Sequence, residues 1–171
     1  MNFESKINHK HTNSVKWDGH DKFKVHPDAI PLWVADMDFK TLPEITQALN
    51  KQVEFGVYGY AFEPDSYFDS VIAWMKRRHH WDIKKEWILT TPGVVSGLNA
   101  CILSLTQEND SILIQEPVYH PFKNSIKYNK RIPVINELVR EESHYSINFE
   151  DFENKIINHN VKLFILCSPH N

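Results

Sequence analysis

Four short segments carry the residues whose types and spacing could do chemistry: Tyr58-Gly59-Tyr60, Thr91-Pro92-Gly93-Val94-Val95, Glu116-Pro117-Val118-Tyr119-His120-Pro121-Phe122 and Ser168-Pro169-His170-Asn171. In the second, a Pro-Gly turn is followed by Val94, Val95, Leu98, Cys101, Ile102 and Leu105 at helical spacing, so a helix is predicted to start near Val94. The first amides of such a helix have no partner within it. Together with the positive end of the helix dipole they suit a phosphate. Alone, a turn of this kind more often joins a strand to a helix with no ligand. Tyr119 adds a ring that can stack on a flat heterocycle, and Asn171 an amide that both donates and accepts.

These residues need elements that bring them to one edge. Glu86–Thr91 is predicted as a short buried strand, bounded by the Pro-Gly turn. Ser111–Gln115 and residues 131–136 are further strands, and Val161–Cys167 is apolar enough for a parallel strand buried on both faces. Helices are predicted from Thr41 and Pro43 to about Phe55, ending at Gly56, and from Pro64 to about His79, with Tyr67, Phe68, Val71, Ile72 and Met75 on one face. A third runs over 149–157, capped by Asn148. Residues before about Phe39 are polar and loop-like apart from Ile30–Met37. The alternation is α/β with a mostly parallel sheet. Tyr119 and Asn171 both fall just past strand ends, where open α/β sheets hold their ligands.

With Pro31-Leu32-Trp33-Val34-Ala35-Asp36-Met37-Asp38-Phe39 and Arg77-Arg78-His79-His80-Trp81-Asp82 added, the motifs resemble those of the aminotransferase class I/II superfamily of fold-type-I pyridoxal-phosphate enzymes. Within it they are most similar to the MalY/PatB group of cystathionine β-lyases, or C–S lyases. The resemblance runs from about Asn13 to Asn171. It implies that residues 1–50 belong partly to a small domain, and that 51–171 form the first half of a cofactor-binding large domain. It implies pyridoxal 5'-phosphate as cofactor, held at its phosphate by the amides of Gly93, Val94 and Val95. Tyr119 would stack on the pyridine ring and Asn171 would bond the ring oxygen. Tyr60 would reach the phosphate of the neighbouring subunit in a homodimer. Ala35 and Asp36 would lie near an amino-acid substrate; for Trp33, Asp36 and Asp38, direct contact and a structural loop role both stay open.

The reaction implied is β-elimination giving a thiol, pyruvate and ammonia, with transamination as the alternative. Both need a Schiff-base lysine, an aspartate at the pyridine nitrogen and an arginine for the substrate carboxylate. In the family all three follow the Ser-Pro-His-Asn motif, so these 171 residues by themselves are expected to be an inactive fragment. Lys162 matches a solvated strand-end charge instead. The alternatives from other classes are a non-enzymatic remnant and a free-standing phosphate- or nucleotide-binding module.

Composition narrows the field little. A net charge of −3 gives no general attraction to nucleic acid. The two cysteines, Cys101 and Cys167, are expected to be small buried hydrophobes rather than a disulfide framework. No apolar run reaches membrane-spanning length and no apolar leader is evident, so a cytoplasmic protein is expected. Ten histidines include His9-Lys10-His11 and His79-His80, yet no His/Cys/Asp/Glu spacing matches a metal site.

Overall fold

Ser111–Glu116 forms strand β1, and its Ile112, Leu113 and Ile114 are fully buried. The computed structural model describes residues 3–5, 7–26 and 28–171. Its contacts divide into two compact units, Met1–Glu63 and Pro64–Asn171, with β1 at the centre of the second. Strand β2 (Ile132–Glu137) pairs in parallel along the whole of β1, from Ser111↔Ile132 to Glu116↔Glu137. On the other edge lies β5 (Leu163–Phe164), also parallel. Backbone bonds from Lys162 to Ser111 and from Ile165 to Leu113, 2.9 and 3.0 Å, extend that pairing. The sheet order β2-β1-β5 means the chain leaves β1 on one side and returns on the other.

Helices cover both faces of this sheet. Helix α4 (Val94–Leu105) and helix α5 (Pro121–Tyr128) pack on the face of Ile112 and Ile114, where Ile102 and Ile126 complete a fully buried cluster. Burying an isoleucine side chain stabilises by about 1.5–3 kcal/mol, so these four carry much of the unit's cohesion. Helix α6 (Phe149–Asn158) takes the opposite face: Phe152 meets Phe164 edge-on at 5.0 Å, and Phe164 is the register partner of Leu113. Asn148 caps α6 as the sequence predicts, accepting from the Asp151 amide at 3.0 Å.

Two polar groups inside this unit are fully employed. Asn136 on β2 is completely buried; it accepts from Gln115 on β1 at 3.1 Å and donates to Asp151 and the Asn148 carbonyl of α6, at 2.8 and 3.2 Å. Arg131, also buried, donates to the hydroxyl and carbonyl of Thr106, the residue that ends α4, and to the Asn129 carbonyl. A guanidinium at that position suits the negative end of the helix dipole.

Helix α3 (Asp65–His79) opens the second unit and buries Phe68; it ends at His80 in the left-handed conformation, φ 52°. In the first unit, helix α1 (His20–Phe23) is a single turn, and helix α2 (Pro43–Phe55) starts with Pro43 in its first turn. Gly56 ends α2 at φ 69°, donating to Gln52, as its position in the sequence predicts.

Three expectations need correction. Glu86–Thr91 is not a strand: Lys85–Trp87 make a 3-10 turn, and the extended residues that follow have no pairing partner among the described residues, leaving Leu89 89% exposed. Apolar, β-prone residues become a strand only beside a neighbour to bond. The last strand is buried on one face only, with Val161, Leu163, Ile165 and Cys167 half-covered and Leu166 exposed, because no strand of the described residues lies on its outer edge. Cys101 is exposed on the uncovered side of α4, and Cys167 is half-buried; both are free thiols. The sequence reading also omits α1, α5 and the hairpin of β3 (Val139–Glu141) and β4 (His144–Ser146). No helix of the described residues is long and apolar enough to cross a membrane.

Asn136 joins β1, β2 and α6, so its truncation leaves Gln115 without its partner and Asp151 with Lys155 alone. Asn136→Ala should lower unfolding free energy by about 2–4 kcal/mol, the scale for breaking a buried hydrogen-bond network. Denaturant midpoints of the complete protein and the variant check this.

Candidate functional site

Helices α4 and α5 run side by side in the same direction. Asn99 of α4 donates to Ser125 and accepts from Asn129 at 3.2 and 2.5 Å, and Thr106 at the end of α4 receives Arg131 at the start of β2. The end of α4 therefore lies at the amino edge of the sheet. Twelve helical residues span about 18 Å and a six-residue strand about 20 Å, so α4 begins level with the carboxyl ends of the strands.

That beginning is open. Gly93 precedes the helix at φ 150° and ψ 160°, a conformation available essentially to glycine alone. A Cβ placed there would meet nothing within 4 Å, so the backbone, not a side-chain contact, demands the glycine. The first turn of α4 contains no acidic residue and no side chain caps it. Its positive end is thus neither capped nor neutralised by a side chain among the described residues. Thr91 shapes the turn: its hydroxyl donates to the Gly93 carbonyl at 2.9 Å and lies 3.1 Å from where a Cβ on Gly97 would be. Val94 is exposed and Val95 nearly so, at 85% and 38%.

The same edge carries the loop after β1 and the segment after β5. Tyr119 donates its backbone N–H to the carbonyl of Asn171 at 2.7 Å. One residue away, His170 Nε2 lies 2.6 Å from the Pro117 carbonyl, so that nitrogen carries the hydrogen. Two bonds thus bind the loops together at the point where the strand order reverses. Such a switch point is where open α/β sheets form ligand crevices. The Tyr119 ring is held by His120 and, edge-on, by Phe122 at 5.9 Å, yet remains 42% exposed. Lys123 pairs with Glu116 at 3.0 Å, which neutralises the one carboxylate at the end of β1.

The remaining candidates belong to the first unit. Tyr60 is wholly exposed there, and Gly59 beside it meets nothing within 4 Å; the hydroxyl of Tyr58 turns back to the Val53 carbonyl at 3.3 Å. Ala35 and Asp36 are exposed. Asp38 and Trp33 serve the loop itself: Asp38 is bonded by Lys16 and Trp17, and the Trp33 ring packs edge-on against His20 at 5.2 Å. Lys162 bonds Asn160 at the strand's start, as its reading as a strand-end charge expects. The sequence reading assigned His170 no part; its position next to Asn171 was the one available signal. No group of residues able to hold a metal ion occurs among the described residues.

Within the second unit, then, unpaired amides, a partly exposed aromatic ring and an asparagine occupy one sheet edge. Those groups fit a phosphorylated flat heterocycle. Residues 27–171 match the aminotransferase class I and II family. The chain belongs to that family. It is 40% identical, over all of its 171 residues, to the cystathionine β-lyase PatB of Bacillus subtilis, of which it covers 44%. Among solved structures, cystalysin of Treponema denticola, which contains pyridoxal 5'-phosphate, is 37% identical with a TM-score of 0.88 over 98% of this chain and 43% of that one. The pyridoxal-phosphate-bound C–S lyase of Staphylococcus hominis is 29% identical with a TM-score of 0.90, over 100% of this chain and 44% of that one. This member of the aminotransferase class I and II family thus spans less than half the length of the relatives it matches.

Because Gly93 is required by its backbone and not by lack of room, the cost of replacing it is conformational. Gly93→Ala should destabilise the protein by about 1–3 kcal/mol, seen as a lower denaturation midpoint with an unchanged slope.

Proposed function

We propose that this chain is the amino-terminal part of a pyridoxal-phosphate-dependent C–S β-lyase that splits a cystathionine-like substrate into a thiol, pyruvate and ammonia. The observation that carries the reading is the bond from the Tyr119 amide to the Asn171 carbonyl, which ties together the main chains of the residue that would stack and the residue that would bond the ring oxygen, at the switch point of the sheet. The C–S lyase names of the relatives support it.

Bound there, pyridoxal phosphate supplies an electron sink for negative charge at the substrate Cα. The chain's own residues hold it. The amides of Gly93, Val94 and Val95 would take the phosphate, aided by the dipole of α4. Tyr119 would cover the ring and Asn171 would bond its oxygen substituent. Ala35 and Asp36 would lie by the amino-acid substrate. Tyr60, with its hydroxyl free and its ring exposed, would donate to the phosphate held by the other subunit of a homodimer. A cytoplasmic location belongs to the same proposal, supported by two unpaired cysteines.

The family also contains aminotransferases, and products separate the two reactions: the lyase releases pyruvate and a thiol from cystathionine without a second keto acid, whereas an aminotransferase requires one. The cofactor assignment is tested through Tyr119. In the complete protein, Tyr119→Ala should weaken pyridoxal-phosphate binding by about 1–3 kcal/mol, the value of an aromatic platform and its buried area. Unchanged affinity in a fluorescence titration would refute the stacking role.

Tyr60 is tested across the interface. Its charge-assisted hydrogen bond to a phosphate is worth about 1.5–3 kcal/mol, so Tyr60→Phe should raise the cofactor dissociation constant roughly tenfold to a hundredfold. In a heterodimer with a subunit lacking the family's cofactor-linked lysine, action in trans places both defects on one site and leaves the other fully active. If the lysine-bearing site shows the weakened affinity instead, Tyr60 serves its own subunit.

A further inference from the structure

Lys16 is 7% exposed, and lysine is almost never buried without a partner. Its ammonium donates to the Asp38 carboxylate at 2.9 Å and to the main-chain carbonyl of Asp36 at 2.7 Å. The other Asp38 oxygen accepts the indole N–H of Trp17 at 2.8 Å. The His9 ring lies parallel to that indole at 5.9 Å, with Nε2 3.8 Å from Asp38. The Asp38 carboxyl is held below the usual carboxylate range, chiefly by the hydrogen bond from Lys16 and then by that from Trp17.

The segment that supplies Lys16 and Trp17 is itself fixed. Asp18, the next residue, accepts the amides of His11, Thr12 and Ser14 at 2.8, 3.0 and 3.1 Å. At the other end of the loop, the Trp33 indole reaches the Val15 carbonyl at 3.5 Å. Residues 33–38 are therefore tied at both ends to residues 15–17, and only the middle is presented to solvent: Ala35, Asp36 and Met37 are all exposed. The loop commits a buried ammonium to the backbone of its most exposed acidic residue.

We propose that Lys16, Trp17 and Asp38 form a clamp that positions Ala35 and Asp36 against the substrate, with Lys16 as the central positioning residue. This rests on the reading that these two residues face the substrate, and it adds the device that holds them there. A loop that must be ordered when substrate binds loses affinity to that ordering, so a loop that touches substrate is best held beforehand by groups that do not.

The test uses the complete protein loaded with pyridoxal phosphate, with Lys16→Met, which keeps the aliphatic stem, and the milder Asp38→Asn, which keeps an acceptor for Trp17. Backbone amide exchange over residues 34–38 is measured without substrate, then KM and kcat for cystathionine, and cofactor affinity. Lys16→Met should speed exchange across the loop by about tenfold or more and raise KM by about tenfold, with kcat and cofactor affinity little changed. Asp38→Asn should shift both in the same direction by less. Unaltered exchange would show that the clamp does not hold the loop. Faster exchange with KM unchanged would show that the loop does not face substrate, while the Tyr119→Ala titration, which does not involve this loop, still decides the cofactor reading. A fall in cofactor affinity in place of the KM change, or loss of the fold in both variants, would also overturn the proposal.

Discussion

A parallel strand is fully satisfied only when bonded along both edges and covered on both faces, because its side chains point both ways and each edge carries main-chain groups to pair. Among the described strands only β1 meets both demands, with β2 and β5 on its edges and α4, α5 and α6 over its faces. Its position between β2 and β5 also makes it the point where the chain's direction of travel across the sheet reverses. The cohesion of the unit and the placing of the loops at its sheet edge thus derive from one strand. The residues that follow β1 and those that follow β5 are brought side by side because both strands are bonded to it.

The cradle at Gly93 depends on the same strand through α4. Ile102 anchors that helix in the cluster on β1, and Arg131 fixes its far end at the start of β2. The length of the helix then decides where its first turn falls. Had α4 been a turn shorter, about 5.4 Å would separate its amides from the level of the Tyr119 loop. The level of the first turn of α4 is therefore set by a buried isoleucine and a buried arginine at the other end of the helix.

How far the sequence discloses this follows from how local each signal is. Pro43 and Gly56 mark the two ends of α2, and Asn148 the start of α6, with chemistry confined to a few neighbouring residues. The Pro-Gly turn and the spacing from Val94 likewise disclose the start of α4. Signals that depend on distant partners mislead. Residues 86–91 carry strand composition but find no strand beside them, and Cys101 has a helical core spacing but lies where nothing covers α4. The bonds of Lys16 to Asp36 and Asp38 span about twenty residues of loop, and no periodicity announces them. Helix α5 was hidden because its first residues, Pro121 and Phe122, belong to a motif read for its chemistry instead.

In each of the two units, some of the polar contacts beside the candidate residues end on the main chain. Thr91 bonds the Gly93 carbonyl, His170 the Pro117 carbonyl, Lys16 the Asp36 carbonyl, and the Tyr119 amide the Asn171 carbonyl. In each case the backbone is fixed while a neighbouring ligand-type side chain is left uncommitted. No hydrogen bond or ion pair occupies the Tyr119 hydroxyl, the Asn171 amide, the Asp36 carboxylate or the Tyr60 hydroxyl among the described residues. Fixing these side chains directly would spend the donors and acceptors that a ligand needs. Fixing the peptide beside them lowers the ordering cost of binding without that loss, and it explains why residues that bear no recognisable chemistry, such as Thr91 and Lys16, stand next to ones that do.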